Sequence, residues 1–366
     1  MNIKFVANTS WYVFNFRLET VRRFVQQGDD VTVVCGDNIF EREIREAGAR
    51  FQVVELSSNG VNLFRSLFAT YRLYCNLKNT DGIVFSFTPK VNFYISLFIS
   101  YTTLIWYPNV SGFGKDYEAK NLTGFVKRLA VKLMVRKADG IFVQNERDFD
   151  VIASNRAFAS DSVMLLPGSG VDISKFPYSP IVSRKKFSFC FAARLIPEKG
   201  VLNLLDALKQ LSELSYSFKC VIAGSVPTGK NAKVVQQAID EAVKQGYVDY
   251  CGVVSDVYAI IRDSRCVVFP SFYGEGTPKF LLEAAAVGRL IITTDEPGCK
   301  RVAQSVGNVI IEKTSVTQLV QALKSVLESN LETLNEVGFK NSQFVAKYFN
   351  EEIAISAYLQ VRKNFN

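Results

Sequence analysis

Histidine is absent from all 366 residues. That absence removes a Ser/His/Asp triad, a Cys/His dyad, an HExxH zinc site and every general acid or base built on imidazole. The seven cysteines, at 35, 75, 190, 220, 251, 266 and 299, contain no CxxC pair and are odd in number. They fit neither a disulfide framework nor a zinc site, and read as reduced thiols buried in strand-like runs of a cytosolic protein. Met1-Asn2-Ile3-Lys4-Phe5 enters a strand directly, without the basic, apolar and cleavage regions of a signal peptide, which also points to the cytoplasm. No charge occurs in the 24 residues between Lys90 and Lys115, long enough to span a bilayer. Asn92, Pro108, Asn109, Ser111 and Gly112 interrupt this stretch, however, and it divides into a helix (91–100) and a buried strand (104–107), so no span is expected.

Lysine and arginine number 43 against 35 acidic residues, an excess of 8 that favours an anionic partner. The excess is concentrated: Lys115, Lys120, Lys127, Arg128, Lys132, Arg136 and Lys137 face only Asp116 and Glu118 in one segment. No RNA- or DNA-binding motif accompanies them, so nucleic acid is not expected as a partner.

Apolar runs of strand length alternate with helix-length spacers. The strands expected are 3–7, 31–35, 51–56, 82–87, 104–107, 140–143 and 163–166, then 187–193, 218–223, 248–251, 266–269, 290–293 and 308–311. The alternation predicts an α/β protein of two parallel-sheet, Rossmann-like domains facing a cleft, with ligands at the carboxyl ends of the strands. Pro177 and Pro180, before a basic cluster at 184–186, mark a linker. The expected domains are therefore 1–178 and 179–366.

Pro270-Ser271-Phe272-Tyr273-Gly274-Glu275-Gly276-Thr277-Pro278 follows a strand and opens a helix, with Thr277 expected as N-cap and Pro278 as first helical residue. A helix N-terminus at a glycine-flanked loop suits a phosphate or diphosphate. Glu283, on the apolar helix that follows, needs a partner, either Lys279 in an i,i+4 pair or the hydroxyls of a bound ribose or sugar. Arg194 and Lys199, at the turn after the strand 187–193, either clamp a diphosphate or form a solvated loop paired with Glu198. Asp148-Phe149-Asp150 falls on a helix and reads as a solvated face, not as a metal motif.

Together, Ala193-Arg194-Leu195 with Lys199-Gly200, Gly224-Ser225, Gly252-Val253-Val254-Ser255-Asp256, Glu275-x7-Glu283 and Asp295-Glu296-Pro297-Gly298-Cys299 resemble the retaining glycosyltransferases of family 4, which have the GT-B fold. Asn8-Thr9-Ser10-Trp11, Asn15-Phe16-Arg17, Phe87-Thr88-Pro89-Lys90 and Val110-Ser111-Gly112-Phe113-Gly114 extend the likeness to bacterial members that act on lipid-linked oligosaccharides of O-antigen, capsule or exopolysaccharide. The resemblance implies an acceptor-binding first domain and a nucleotide-sugar-binding second one. It implies that Arg194 and Lys199 neutralise the donor diphosphate, with backbone N–H groups of Gly276 and Thr277. Gly224 lies in the donor site, Val253 and Val254 meet the base, Glu275 holds the donor sugar and Glu283 the ribose. The leaving phosphate takes the acceptor's proton as the acceptor attacks from the same face, and neither metal nor other cofactor is needed. Many relatives carry a first-domain histidine; Asp116 is its expected substitute here. Thr9-Ser10 stands where a glycine pair is usual, and Lys300-Arg301 where an acidic residue is.

The expected function is transfer of a sugar, most plausibly from a UDP-sugar, to a hydroxyl of a lipid-linked saccharide at the inner face of the cytoplasmic membrane. The alternatives are a non-catalytic nucleotide-sugar-binding subunit and a UDP-sugar 2-epimerase. Phe125, Leu129, Leu133 and Arg136 recur at helical spacing beside Lys127, Arg128 and Lys132. This pattern suits either a basic helix on an anionic bilayer or an ordinary helix with its stripe in the core.

Overall fold

The computed structural model describes every residue except 57–62, 114–116, 118, 119, 155–161, 183–186, 230 and 366, and the side chains of 63–65, 123 and 126. Two wholly parallel sheets organise it, as the alternating pattern requires. The first holds β1 (Asn2–Ala7), β2 (Asp30–Cys35), β3 (Arg50–Val53), β4 (Asp81–Phe87), β5 (Thr103–Val110), β6 (Ile141–Val143) and β7 (Val163–Leu165), in the order β3-β2-β1-β4-β5-β6-β7. The second holds β8 (Phe187–Ala192), β9 (Cys220–Ala223), β10 (Val248–Tyr250), β11 (Ser264–Phe269), β12 (Leu290–Thr294) and β13 (Val309–Ile311), in the order β10-β9-β8-β11-β12-β13. Their central strands are buried on both faces, which is why they read as continuous Val, Ile, Phe and Cys runs. The uncharged stretch becomes the helix Pro89–Phe98, a 3₁₀ turn and β5, and no helix among the described residues is long and apolar enough to cross a membrane.

The chain divides into two compact units, Met1–Ser169 with Glu352–Asn366, and Gly170–Glu351. The expected boundary at 178/179 is thereby shifted, and the chain's end changes sides. The cause is aromatic. Tyr358, on the helix Glu351–Lys363, is fully buried against Phe85 and Phe142 with ring centroids 5.0 and 4.5 Å away, and its hydroxyl accepts from Asn109 Nδ2 at 2.6 Å. Arg362 Nε adds a 2.5 Å bond to Asp29.

Three local expectations are corrected. The helical periodicity over 15–27, which ends at Gly28 and predicts one helix, falls instead on two, Ser10–Phe16 and Leu18–Gln26, broken at Arg17, whose φ of −137° is not helical. Asp148 is 3% exposed, not solvated: Asn145 caps the helix Glu146–Ala153 by accepting from the Asp148 N–H at 2.8 Å, while Asn145 Nδ2 donates back to Asp148 Oδ2. Cys75 and Cys251 are exposed, whereas the other five thiols are buried.

Candidate active site

In the second sheet, β8 leads to β9 and β10 on one side, while β11, β12 and β13 extend the other. The switch point therefore lies between β8 and β11, and the crevice at their carboxyl ends is where an open α/β sheet receives ligands. Both sequence segments singled out for chemistry emerge there. The turn Arg194–Gly200 follows β8, and the loop Pro270–Pro278 follows β11.

The two segments are tied to each other. Phe272 N–H donates to Glu198 O at 2.9 Å, and Ser271 Oγ lies 3.4 Å from the same carbonyl. Gly200 has φ +81°, and a Cβ there would stand 2.1 Å from Pro270 O, so glycine is required both for the left-handed turn and for the close approach. This packing brings Lys199 Nζ onto Glu275 Oε1 as a short ion pair whose side chains are 13% and 10% exposed. Ser271 Oγ donates to the same oxygen at 2.7 Å, and the ammonium lies 5.4 Å from the Phe269 ring centroid and 5.2 Å from that of Tyr273. Glu198, the alternative partner weighed for this turn, is not the one Lys199 takes. Ser271, Phe269 and Tyr273 had not been singled out in the sequence; only the Pro-Ser dipeptide hinted at the first.

Arg194 projects into solvent, with Val253 exposed and Val254 half-buried. Gly224 is fixed through its backbone, donating to Gly252 O at 2.7 Å and accepting from the Tyr250 hydroxyl at 2.9 Å, which holds the loops after β9 and β10 together. Gly276 and Thr277 are buried. The helix begins one residue later than expected, at Lys279: Pro278 has an extended ψ of 119° and takes the N-cap position with no side-chain cap, so Thr277 stands outside the helix. Asp116 lies outside the described residues. Lys127, Arg128 and Lys132 belong to the first unit and are not part of this crevice.

Glu283 is 8% exposed on a helix whose neighbours are Phe, Leu and Ala, and its nearest cation is Lys279 at 3.9 Å. The i,i+4 partner is thus present, but loosely. Burial pushes the Glu283 carboxyl up from 4.5 to about 7, with Lys279 acting in the opposite direction. The unfolded chain loses this proton near 4.5 while the folded chain holds it to about 7, so the folded state binds more protons across that window and stability falls as pH rises through it. At ~1.4 kcal/mol per unit, the whole window is worth on the order of 3 kcal/mol. Glu283→Gln is therefore expected to match wild type in melting temperature near pH 5 and to exceed it at pH 8. Parallel thermal melts at the two pH values test this; an equal gap at both would contradict a buried carboxyl whose ionisation folding opposes.

Two α/β units, each with a parallel sheet and the second with a crevice at its switch point, correspond to the GT-B fold. Residues 176–342 match the family of glycosyl transferases group 1. The chain is 24% identical, over 99% of its length and 98% of the relative's, to N,N'-diacetylbacillosaminyl-diphospho-undecaprenol alpha-1,3-N-acetylgalactosaminyltransferase of Campylobacter jejuni. It is also 24% identical to the capsular polysaccharide biosynthesis glycosyltransferase CapM of Staphylococcus aureus, over 88% of this chain and 87% of that one. The crystal structure of Anabaena HepE in complex with UDP and glucose superposes with a TM-score of 0.80 at 14% identity, covering 100% of this chain and 99% of that one.

Proposed function

We propose that the protein moves a sugar from a UDP-sugar to a hydroxyl of a lipid-linked saccharide in the synthesis of a cell-surface polysaccharide. The observation that carries this reading is the Lys199–Glu275 pair where the turn after β8 meets the loop after β11, with Arg194 on the same turn and Glu283 on the helix that follows the loop. In this reading Arg194 and Lys199 neutralise the donor diphosphate, backbone N–H groups of Gly276 and Thr277 add hydrogen bonds, and the charge is met without a metal. Glu275, turned from its ion pair, accepts hydroxyls of the donor sugar. Glu283 accepts those of the ribose and ionises as it does so. The donor's own phosphate oxygen takes the acceptor's proton, which suits a chain without histidine. The UDP and glucose of the HepE complex, and the lipid-linked acceptor named for the Campylobacter relative, favour the same donor and acceptor classes here.

The test is transfer from a panel of nucleotide sugars to short-chain lipid-linked saccharides, with product analysis in the absence of acceptor. Slow hydrolysis of one UDP-sugar fits a transferase, whereas an isomerised sugar would mark an epimerase. Because ionised Glu283 accepts ribose hydroxyls on both oxygens and more strongly than the neutral carboxyl does on one, UDP-sugar affinity should rise from pH 5.5 to 8, and Glu283→Gln should flatten that rise. A UDP-sugar has no phosphate ionisation in that range to confuse the result.

The acceptor side favours a membrane surface. On the helix Leu122–Lys137 the core face is Met134 and Val135, while Leu122, Phe125 and Leu129 are 77%, 58% and 46% exposed, so the expected apolar stripe does not enter the core. Lys132 is exposed beside them and Lys127 half-exposed, but Arg128 donates to Tyr117 O at 2.8 Å and serves the local fold. At ~1 kcal/mol per basic residue near an anionic surface, such a helix attracts in a salt-sensitive way. Vesicle sedimentation should show binding to anionic but not neutral bilayers, lost with Lys127→Glu and Lys132→Glu together; equal sedimentation with both vesicle types would contradict it.

A further inference from the structure

Arg17 is 1% exposed, and among the described residues its Nε and Nη2 make no well-formed hydrogen bond, the polar groups facing the guanidinium being the neutral hydroxyls of Tyr12 and Tyr358. Nη1 donates to Phe16 O at 2.8 Å, and the guanidinium lies 5.3 Å from the Phe87 ring centroid and 5.2 Å from that of Tyr358. The rings orient the cation but supply no counter-charge, and a buried guanidinium without one is costly. Two more orphans share its neighbourhood. Asn8 Oδ1 and Thr88 Oγ1 are buried without partners as well. β1 and β4 pair with Val6 opposite Ser86, and continuing that register by two residues sets Asn8 beside Thr88, which directly follows Phe87. Asn8 and Thr88 directly follow the carboxyl ends of the adjacent strands β1 and β4, where such a sheet takes ligands, and the Arg17 guanidinium lies over Phe87, the last residue of β4.

We infer that Arg17, Asn8 and Thr88 form an anion subsite that holds a phosphate of the acceptor. Arg17 calls for an anionic oxygen. Asn8 Oδ1 calls for a donor, which a saccharide hydroxyl supplies, and the Thr88 hydroxyl serves either. A saccharide carried on a diphosphate offers all of these. The inference rests on the acceptor reading above, but its subsite is separate from the donor crevice of the second sheet.

The experiment has two arms. In the first, inorganic diphosphate is titrated calorimetrically into the full-length protein in the presence of saturating UDP. Arg17→Gln is expected to weaken this binding at least tenfold and Asn8→Ala severalfold, with UDP affinity changed less than twofold. In the second, wild type should prefer a short-chain prenyl-diphosphate saccharide over the neutral alkyl glycoside of the same saccharide at least tenfold in KM. Arg17→Gln should erase that preference with kcat retained. Unchanged diphosphate binding in Arg17→Gln overturns the inference, as does a tenfold loss of UDP affinity with acceptor KM unchanged, which would give the cation to the donor. Should Arg17→Gln melt early, Asn8→Ala, which leaves the aromatic stack intact, carries the same reading at its severalfold scale, and Arg17→Lys, which keeps the charge, should retain diphosphate binding. Arg17-dependent diphosphate binding without any sugar transfer would sink the transfer reading and leave the subsite standing. Transfer with diphosphate binding indifferent to Arg17 would do the reverse.

Discussion

Lys199→Ala is expected to reduce kcat/KM for transfer by 10²- to 10³-fold, the scale of ~3–4 kcal/mol for removing one preorganised charge-stabilising group. Glu275→Ala should fall as far. Both side chains are nearly buried, so each single change also strands the other's charge, and breaking a buried pair typically costs ~3–5 kcal/mol of stability. Loss of activity alone would therefore not separate a ligand-binding role from a structural one. The double variant Lys199→Ala with Glu275→Ala does. It strands no charge and should recover melting temperature relative to the singles, yet remain as inactive as either. A double variant that regained transfer along with stability would make the pair a structural clamp and move the site elsewhere.

Gly298→Ala is expected to impair transfer at least tenfold without altering any group that meets ligand. Gly298 opens the helix Pro297–Val302, and a Cβ there would lie 1.8 Å from Gly276 O and 2.6 Å from Glu275 O. These contacts are to backbone, which cannot rotate aside as a flexible side chain would. The methyl therefore displaces the Glu275–Gly276 loop from the Lys199 turn. Overpacking of this kind costs ~1–3 kcal/mol, so the variant should fold. Retained circular dichroism with a raised KM for nucleotide sugar and a lowered kcat is the expected result; wild-type kinetics would mean that loop position does not govern the reaction.

The strands among the described residues could be read from the sequence because the central ones are apolar runs bounded by turn residues and buried on both faces; at the edges the signal is weaker, as in β3, where only Phe51 is buried. Lys199 and Glu275 were legible as candidates because each follows a strand end at a glycine-bearing turn. Their contact with each other was not, because it depends on β8 and β11 being neighbours, and strand order is not written in periodicity. Arg17 looked like an ordinary member of an amphipathic helix; only the fold reveals that the helix breaks there and turns a guanidinium onto Phe87 and Tyr358. Tyr358, 341 positions away in sequence, also explains why the last helix belongs to the first unit. The exposed Phe125 and Leu129 show the opposite limit, since periodicity finds a stripe without saying what covers it.

The central claim is that the crevice between the ends of β8 and β11 holds the donor, and a crystal structure of the protein with a UDP-sugar tests it most directly. The account predicts a diphosphate within about 2.7–3.2 Å of Lys199 Nζ and the Arg194 guanidinium, with the ribose hydroxyls on Glu283 and the sugar on Glu275. A nucleotide bound away from this crevice, with the Lys199–Glu275 pair undisturbed and Glu283 touching no ligand, would contradict it.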